Sequence, residues 1–419
     1  MFLAKLQFCF EKCKDKSGFC HINLYFFRFD AYSGRKSGTK FAEFDRCPYI
    51  CVGRYDLSDR KLKKPIEKYK AIAYPIGWIY AFVVKIRNWL YDKGLLYSCK
   101  YNRPVISVGN ITAGGTGKTP HVEYILHLLE NKYKVAMVSR GYKRKSVGFH
   151  EASEGADSFL LGDEPYQIYR KHPVVVAVDK DRCHAINQLL ALHGDLQVFV
   201  LDDAFQYRRI RPGISILLMD YNRMVEDDHM IPYGMLREPA TAKDRADVLV
   251  VSKCPPDLTP LEAAQIYKKV GPRPYQKLFY STFRYGQLRN VFNTGCKLSQ
   301  KALAQQHTSV LLCAAIAQPD VLETHLKSIV PHVETLYYPD HHYMDREDVA
   351  ELQARFEAMR GDSKIIVVTD KDAAKLSHNP DLPEGLKEKI FCIPLKVVFL
   401  YDKGCSLDQF IEDYVAKNL

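Results

Sequence analysis

Six consecutive residues, Gly114, Gly115, Thr116, Gly117, Lys118 and Thr119, stand in the stretch SVGNITAGGTGKTPHVEYI, between an apolar run and an amphipathic one. Glycines let a backbone turn its N–H groups inward, and a ring of such amides at the start of a helix is an anion site. In that reading Lys118 reaches the β and γ phosphates of a nucleotide, Thr119 places its hydroxyl on Mg2+, and the helix dipole adds to both. The spacing is imperfect, because the pattern GxxxxGK(S/T) wants a glycine where Thr112 stands. A second stretch repairs the case: VFVLDD is an apolar strand tipped by Asp202 and Asp203, and an acid at such a strand end orients Mg2+ beside a phosphate loop.

The base is expected to be adenine. The guanine-reading pattern NKxD has no match, since SKCP at 252–255 lacks the acid and TDKD at 369–372 has the wrong spacing. The ParA-like ATPases carry a lysine five residues before the loop lysine, and that position is Ala113.

These residues need a scaffold, and the sequence supplies one. Apolar runs at 105–108, 134–138, 174–178, 198–201, 214–219 and 248–251 alternate with helical patterns. Several are short, rich in Val and Ile and apolar on both faces, as strands covered by helices should be. A second set follows at 309–316, 333–338, 364–369 and 391–399. The expected fold is α/β: a P-loop NTPase-like doubly wound sheet with a second, smaller α/β lobe. The expected divisions are an N-terminal extension over 1–65, an amphipathic helix over 66–100 and a nucleotide-binding core over 101–270. A connecting segment over 271–305 follows, with a hairpin near 280–292, and then a C-terminal lobe over 306–419.

The formal charge of +11 is unevenly spread. Up to Arg103 there are 21 Lys and Arg against 9 Asp and Glu, which leaves the other 316 residues near −1. A basic N-terminal quarter suits an anionic membrane surface, nucleic acid or a solvated tail. No nucleic-acid-reading motif accompanies it. Cys9, Cys13, Cys20, Cys47 and Cys51 cluster early but lack the spacing of a zinc site, so free thiols are expected. No signal peptide or uncharged 18-residue apolar run is found. The nearest feature is AIAYPIGWIYAFVV at 71–84, with basic flanks and an apolar stripe through Ile79, Phe82, Val83, Ile86 and Leu90. With Trp78 and Trp89 it reads as a helix lying in a membrane interface.

Seven motifs in order, SVGNITAGGTGKTP, SRGYKRKS, GDEP, LDDAFQYR, IPYGMLREP, DHHY and TDKDAAKL, together resemble the tetraacyldisaccharide 4'-kinases of lipid A biosynthesis. The resemblance runs from about Tyr74 to the C-terminus. It implies ATP and Mg2+ as cofactors and transfer of the γ-phosphoryl group to the 4'-hydroxyl of a tetraacylated glucosamine disaccharide 1-phosphate. It also implies a lipid A precursor and an anionic membrane as partners, at the cytoplasmic face of the bacterial inner membrane, with peripheral or monotopic attachment. By the same similarity His341 is a base oriented by Asp163, with His342 beside it as an alternative. Asp202, then Asp203, with Glu238 and Thr119 would hold the metal, and Arg140, Tyr142 and Arg237 would contact substrate. Many members read DDGFQH where this chain has Ala204 and Tyr207. A kinase for a soluble acceptor, or a nucleotide-dependent switch or metallochaperone, are the rival readings.

Overall fold

The computed structural model describes residues 10–14, 20–24, 65–401 and 406–419. Two compact units divide it, residues 1–75 and 76–419. In the first, β1 (Phe10–Lys14) and β2 (Cys20–Leu24) pair as an antiparallel hairpin. The side chains of the five early cysteines lie outside the described residues. A helix, α1 (Pro65–Asp92), runs across the division.

The second unit holds two sheets. The larger takes β3 (Val105–Asn110), β4 (Val135–Ser139), β5 (His150–Glu151), β6 (Val175–Val178), β7 (Val198–Asp202), β8 (Ile214–Asp220), β9 (Val248–Ser252) and β10 (Lys277–Tyr285). The smaller takes β11 (Leu288–Asn290), β12 (Lys297–Leu298), β13 (Ser309–Ala314), β14 (Val333–Tyr337), β15 (Lys364–Thr369) and β16 (Ile390–Ile393). A last strand, β17 (Leu395–Leu400), returns to the large sheet, whose order is β17-β10-β9-β8-β3-β7-β4-β6-β5. The helices after α1 are α2 (Lys118–Leu129), α3 (Ser158–Leu161), α4 (Asp163–Lys171), α5 (Arg182–Leu192), α6 (Pro260–Val270), α7 (Gln300–Gln305), α8 (Asp320–Lys327), α9 (Arg346–Ala358), α10 (Asp370–Leu376), α11 (Glu384–Lys387) and α12 (Leu407–Asn418).

The strands of the large sheet are buried on both faces because helices cover both. Val122, Ile125 and Leu126 of α2 pack with Leu407, Ile411 and Val415 of α12 against one face. Cys183, Ile186 and Leu189 of α5 cover part of the other. The central strand β3 pairs in parallel with β7 and β8, with β4 to β7 on one side of it and β8 to β10 on the other. A crevice therefore opens where β3 ends, which is where open α/β sheets bind ligands.

The lobes divide differently from the sequence expectation. β10 and β11 do not pair with each other: β10 pairs with β9 of the large sheet and β11 with β16 of the small one, and the antiparallel pair in this segment is β11 with β12, Leu288 opposite Leu298. The apolar run at 391–399 is two strands, since Pro394 has no N–H for a ladder and the chain changes sheets there. Both crossings lie together, with Gly286 N donating to Pro394 O at 2.9 Å. The small lobe is thus residues 288–393, and β17 and α12 belong with the nucleotide-binding core.

Candidate active site

Asn110 ends β3 fully buried, and its Nδ2 donates to Thr116 Oγ1 at 2.8 Å. Ser252 Oγ, at the end of β9, donates to the Thr116 carbonyl at 2.9 Å. The other flank is held by the IPYGMLREP segment: Ala113 N donates to Met235 O and Arg237 N to Ile111 O, each at 2.7 Å. With both flanks pinned, the glycines curl the loop. Gly117 caps α2 at φ +82°, and a Cβ there would lie 2.5 Å from Phe283 Cζ, so only glycine fits. A Cβ at Gly114 or Gly115 would meet nothing within 4 Å. The loop is therefore open on that side. Lys118 and Thr119 open α2 at its edge.

Lys118 Nζ lies 3.6 Å from Asp203 Oδ1, and Arg237 Nη1 lies 3.5 Å from Asp203 Oδ2. Burial works against the Asp203 charge, but Lys118, Arg237 and Arg182 hold its carboxyl below the usual range. Its backbone sits at φ +47°, and its carbonyl accepts from Arg182 Nη2 at 3.1 Å. The Arg182 guanidinium in turn lies 4.8 Å over the Tyr207 ring, whose hydroxyl donates to Asp181 at 2.6 Å. Tyr207, the departure from DDGFQH, is therefore a platform under the arginine that props Asp203.

Asp202 is more deeply buried. Its Oδ2 accepts from Ser139 Oγ at 3.3 Å, while its Oδ1 has no hydrogen-bond partner. Burial, then the neighbouring Asp203, pushes its carboxyl up to about 7 against the pull of Lys118, with Glu164 adding to the rise. An orphaned buried oxygen beside an electron-rich neighbour fits a cation, and Asp203 Oδ1 is likewise buried without a hydrogen bond. Glu238 is 1% exposed, with Arg245 bonded to its Oε2 and Arg87 of α1 3.8 Å from its Oε1. That Oε1 is also buried without a hydrogen bond. Among the described residues no three His, Cys, Asp or Glu gather as a ready metal cluster.

The second half of the site spans the lobes. Asp163 is the first residue of α4, following Gly162 at φ +91°. Its Oδ2 accepts from His341 Nδ1 at 2.8 Å and from Lys375 Nζ at 2.9 Å, and its Oδ1 accepts from Tyr343 OH at 2.6 Å. Burial alone would raise this carboxyl. His341, Lys375 and Tyr343 overrule it and hold Asp163 well below the ordinary carboxylate range. His342 turns away: its Nε2 bonds Asp348 at 2.6 Å, and its ring stacks on Tyr338 with centroids 4.9 Å apart. His341, not His342, is the histidine paired with Asp163. Tyr142 brings its ring edge to His341, centroids 5.9 Å apart, and with Lys143, Lys145 and Asp340 lines a cavity of about 270 Å³ beside the pair. Arg140 is exposed just past the end of β4.

Sequence reading missed three members of this cluster. Tyr343 lies in DHHY, and Lys371 and Lys375 lie in TDKDAAKL. The available signal was the four-residue spacing of the lysines, which puts both on one face of a helix.

A central strand, a glycine loop closed by Gly117-Lys118-Thr119 and a neighbouring strand tipped with two acids define a P-loop NTPase-like fold, here with an added lobe. The chain belongs to the tetraacyldisaccharide-1-P 4'-kinase family, whose model, LpxK, matches residues 69–415. The tetraacyldisaccharide 4'-kinase of Bacteroides thetaiotaomicron is 42% identical over 355 residues, spanning 82% of this chain and 93% of its own length. That of Flavobacterium johnsoniae is 38% identical over 351 residues, spanning 84% and 98%. Among solved structures, LpxK from Aquifex aeolicus in complex with ATP superposes with a TM-score of 0.63 at 28% identity, covering 84% of this chain and 99% of that one.

Proposed function

We infer that the protein transfers the γ-phosphoryl group of ATP to the 4'-hydroxyl of a tetraacylated glucosamine disaccharide 1-phosphate. The observation that carries the catalytic reading is the His341–Asp163 pair, closed at 2.8 Å across the two lobes. Phosphoryl transfer needs charge neutralised and the reacting oxygens held in line more than it needs covalent help. The loop amides of 114–119 and Lys118 do this for the triphosphate. Thr119, Asp202 and Asp203 are the residues that would hold Mg2+, which supplies charge neutralisation when bound. Arg237, already against Asp203, is positioned to contact a phosphoryl oxygen.

A sugar hydroxyl is a weak nucleophile at neutral pH, so a base should take its proton. Asp163 is a poor acceptor because three donors hold its charge. His341 is the better one: its Nδ1–H is committed to Asp163, which leaves the Nε2 lone pair for the hydroxyl proton. The sugar oxygen bonds phosphorus as the bond to the ADP oxygen breaks. Tyr142 and Arg140 belong to the acceptor side of the cleft.

The acceptor is an anionic lipid, and a seat on the cytoplasmic face of the inner membrane suits it. What supports this is the outer face of α1, where Trp78, Ile79 and Phe82 are 66%, 65% and 63% exposed and Val83, Ile86 and Trp89 continue the stripe. No helix among the described residues is long and apolar enough to cross a membrane, which favours peripheral attachment. The test is direct: purified protein with γ-labelled ATP, Mg2+ and a disaccharide 1-phosphate lipid in mixed micelles should move label into the lipid. Label released only as inorganic phosphate, with or without lipid, would favour the switch reading instead.

A further inference from the structure

Lys371 has no part in the reaction as described so far, yet its Nζ lies 3.2 Å from His341 Nε2, the atom assigned to take the proton. Lys371 is nearly buried, its side chain 16% exposed, and it is tethered from three directions. Asp340 Oδ1 is 3.1 Å away, Glu164 Oε1 3.6 Å and Asp163 Oδ2 3.8 Å. Burial opposes its charge, but Glu164, Asp340 and Asp163 keep the ammonium protonated. An ammonium has only donors. Set against Nε2, it is compatible with an imidazole whose proton is on Nδ1 and whose Nε2 is a bare lone pair.

The charges around His341 make that contact consequential. Asp163 of α4 faces Nδ1 at 2.8 Å, and Asp340 Oδ2 of the same loop lies 3.7 Å from Nε2. Both carboxylates lie close to the ring, and an imidazolium is useless as a base. Lys375 of α10 opposes them, but its Nζ is spent on Asp163 Oδ2 and the His342 carbonyl. Tyr343 donates to Asp163. Tyr142 presents only a ring edge, with Lys143 Nζ 5.8 Å from that ring on its own account. Lys371 is the cation placed against Nε2 itself.

We propose that Lys371 is a positioning residue for the base: it holds His341 neutral, with the Nε2 lone pair directed into the cleft, and yields that place to the acceptor hydroxyl. Its carboxylate neighbours let it withdraw without losing its ion pairs. Lys371 and Lys375, one turn apart on α10, thus divide the work. Lys375 fixes the orienting carboxylate, and Lys371 protects the base from premature protonation.

The inference rests on His341 being the base, so the test carries both variants. Rates of lipid phosphorylation are measured against pH for the wild type, Lys371→Met, Lys371→Arg and His341→Gln. In parallel, the His341 ring is titrated by 15N NMR in the unreacted enzyme. Removing an opposing charge at hydrogen-bond distance moves a titration by about one pH unit or more. In Lys371→Met the acidic limb of kcat and the 15N midpoint of His341 should both move to higher pH by that amount. In Lys371→Arg, which keeps the charge, they should stay near wild type. A limb and a 15N midpoint unmoved in Lys371→Met, whatever happens to the rate, overturn the proposal. An acidic limb that survives in His341→Gln instead removes His341 as base. If Lys371→Met is too unstable to assay, the same 15N titration in Lys371→Gln decides, with the same shift expected and its absence refuting.

Discussion

His121 links the phosphate loop to the strand that the small lobe hangs from, and its burial makes it a measurable liability in acid. It is 3% exposed, with Nδ1 2.7 Å from the Gly117 carbonyl and Nε2 2.9 Å from Ser281 Oγ. The neutral ring satisfies both: Nδ1–H donates to the carbonyl that opens α2, and Nε2 accepts from the Ser281 hydroxyl of β10. Phe283 and Phe399 close over it, with centroids 5.8 and 6.1 Å away. Burial pushes the imidazole from 6.5 down to about 4, with the Gly117 carbonyl pulling the other way. The unfolded chain therefore binds this proton at a pH where the native protein does not. Between pH 6.5 and 4 the unfolded state carries more protons, so stability falls as pH falls. At 1.36 kcal/mol per unit, a gap of about 2.5 units removes about 3 kcal/mol across that window. Above pH 7 His121 contributes no pH dependence. Urea unfolding followed by circular dichroism at half-unit steps from pH 7.5 to 4 measures it in the wild type and in His121→Gln. The variant's curve should be flatter by up to one proton's slope, whatever its absolute stability. Parallel curves would refute the claim that His121 is buried neutral.

Lys118→Ala should cut lipid phosphorylation by on the order of 10²- to 10³-fold with thermal melting close to wild type, since Lys118 faces the donor site and not the core. Gly117→Ala should both destabilise the protein by about 1–2 kcal/mol in urea unfolding and weaken ATP binding, because the left-handed backbone and Phe283 Cζ exclude the methyl group. Replacing Trp78 and Phe82 together by Ser should weaken binding to anionic vesicles by on the order of 30-fold, from about 1 kcal/mol of interfacial burial at each. Sedimentation with the vesicles measures it, and undiminished binding would refute the interfacial reading of this face.

The parts of this molecule that were legible in the sequence are those whose residues are neighbours in the chain. The loop reads directly because Gly114 to Thr119 are consecutive, and VFVLDD reads because an apolar strand and its acids form one run. The Asp163–His341 pair joins residues 178 apart, and no periodicity announces that; only the family resemblance brought the two to notice. The swap between lobes escaped because apolar character does not say which sheet a strand joins. KLFYSTFRY carries nothing that assigns it to one sheet or the other, and 391–399 reads as one run until Pro394 breaks the ladder. The two arginines that face Glu238 escaped for a related reason: Arg87 and Arg245 come from other parts of the fold.

The same distances explain why the lobes are joined as they are. Asp163 comes from the core lobe, and its three partners, His341, Tyr343 and Lys375, come from the small one, so a rotation of a few degrees between lobes would open a 2.8 Å contact. Rate falls steeply with misplacement on the ångström scale, so a single flexible linker would be a poor connection. The chain crosses twice instead, at Gly286 and Pro394, hydrogen-bonded to each other. Beside the crossings a nearly buried network locks α2 and α4 to α10: Lys171 Nζ bridges Glu123 at 2.6 Å and Asp370 at 2.9 Å, and Arg289 of β11 holds the other Asp370 oxygen at 3.1 Å. Removing one member of such a network leaves a buried charge uncompensated, so the network resists being opened piecemeal. Because Glu123 lies on α2, the helix that Lys118 begins, it also ties the glycine loop to the lobe that carries His341. On the proposed reading, donor and acceptor halves are thereby held in one register before either substrate arrives.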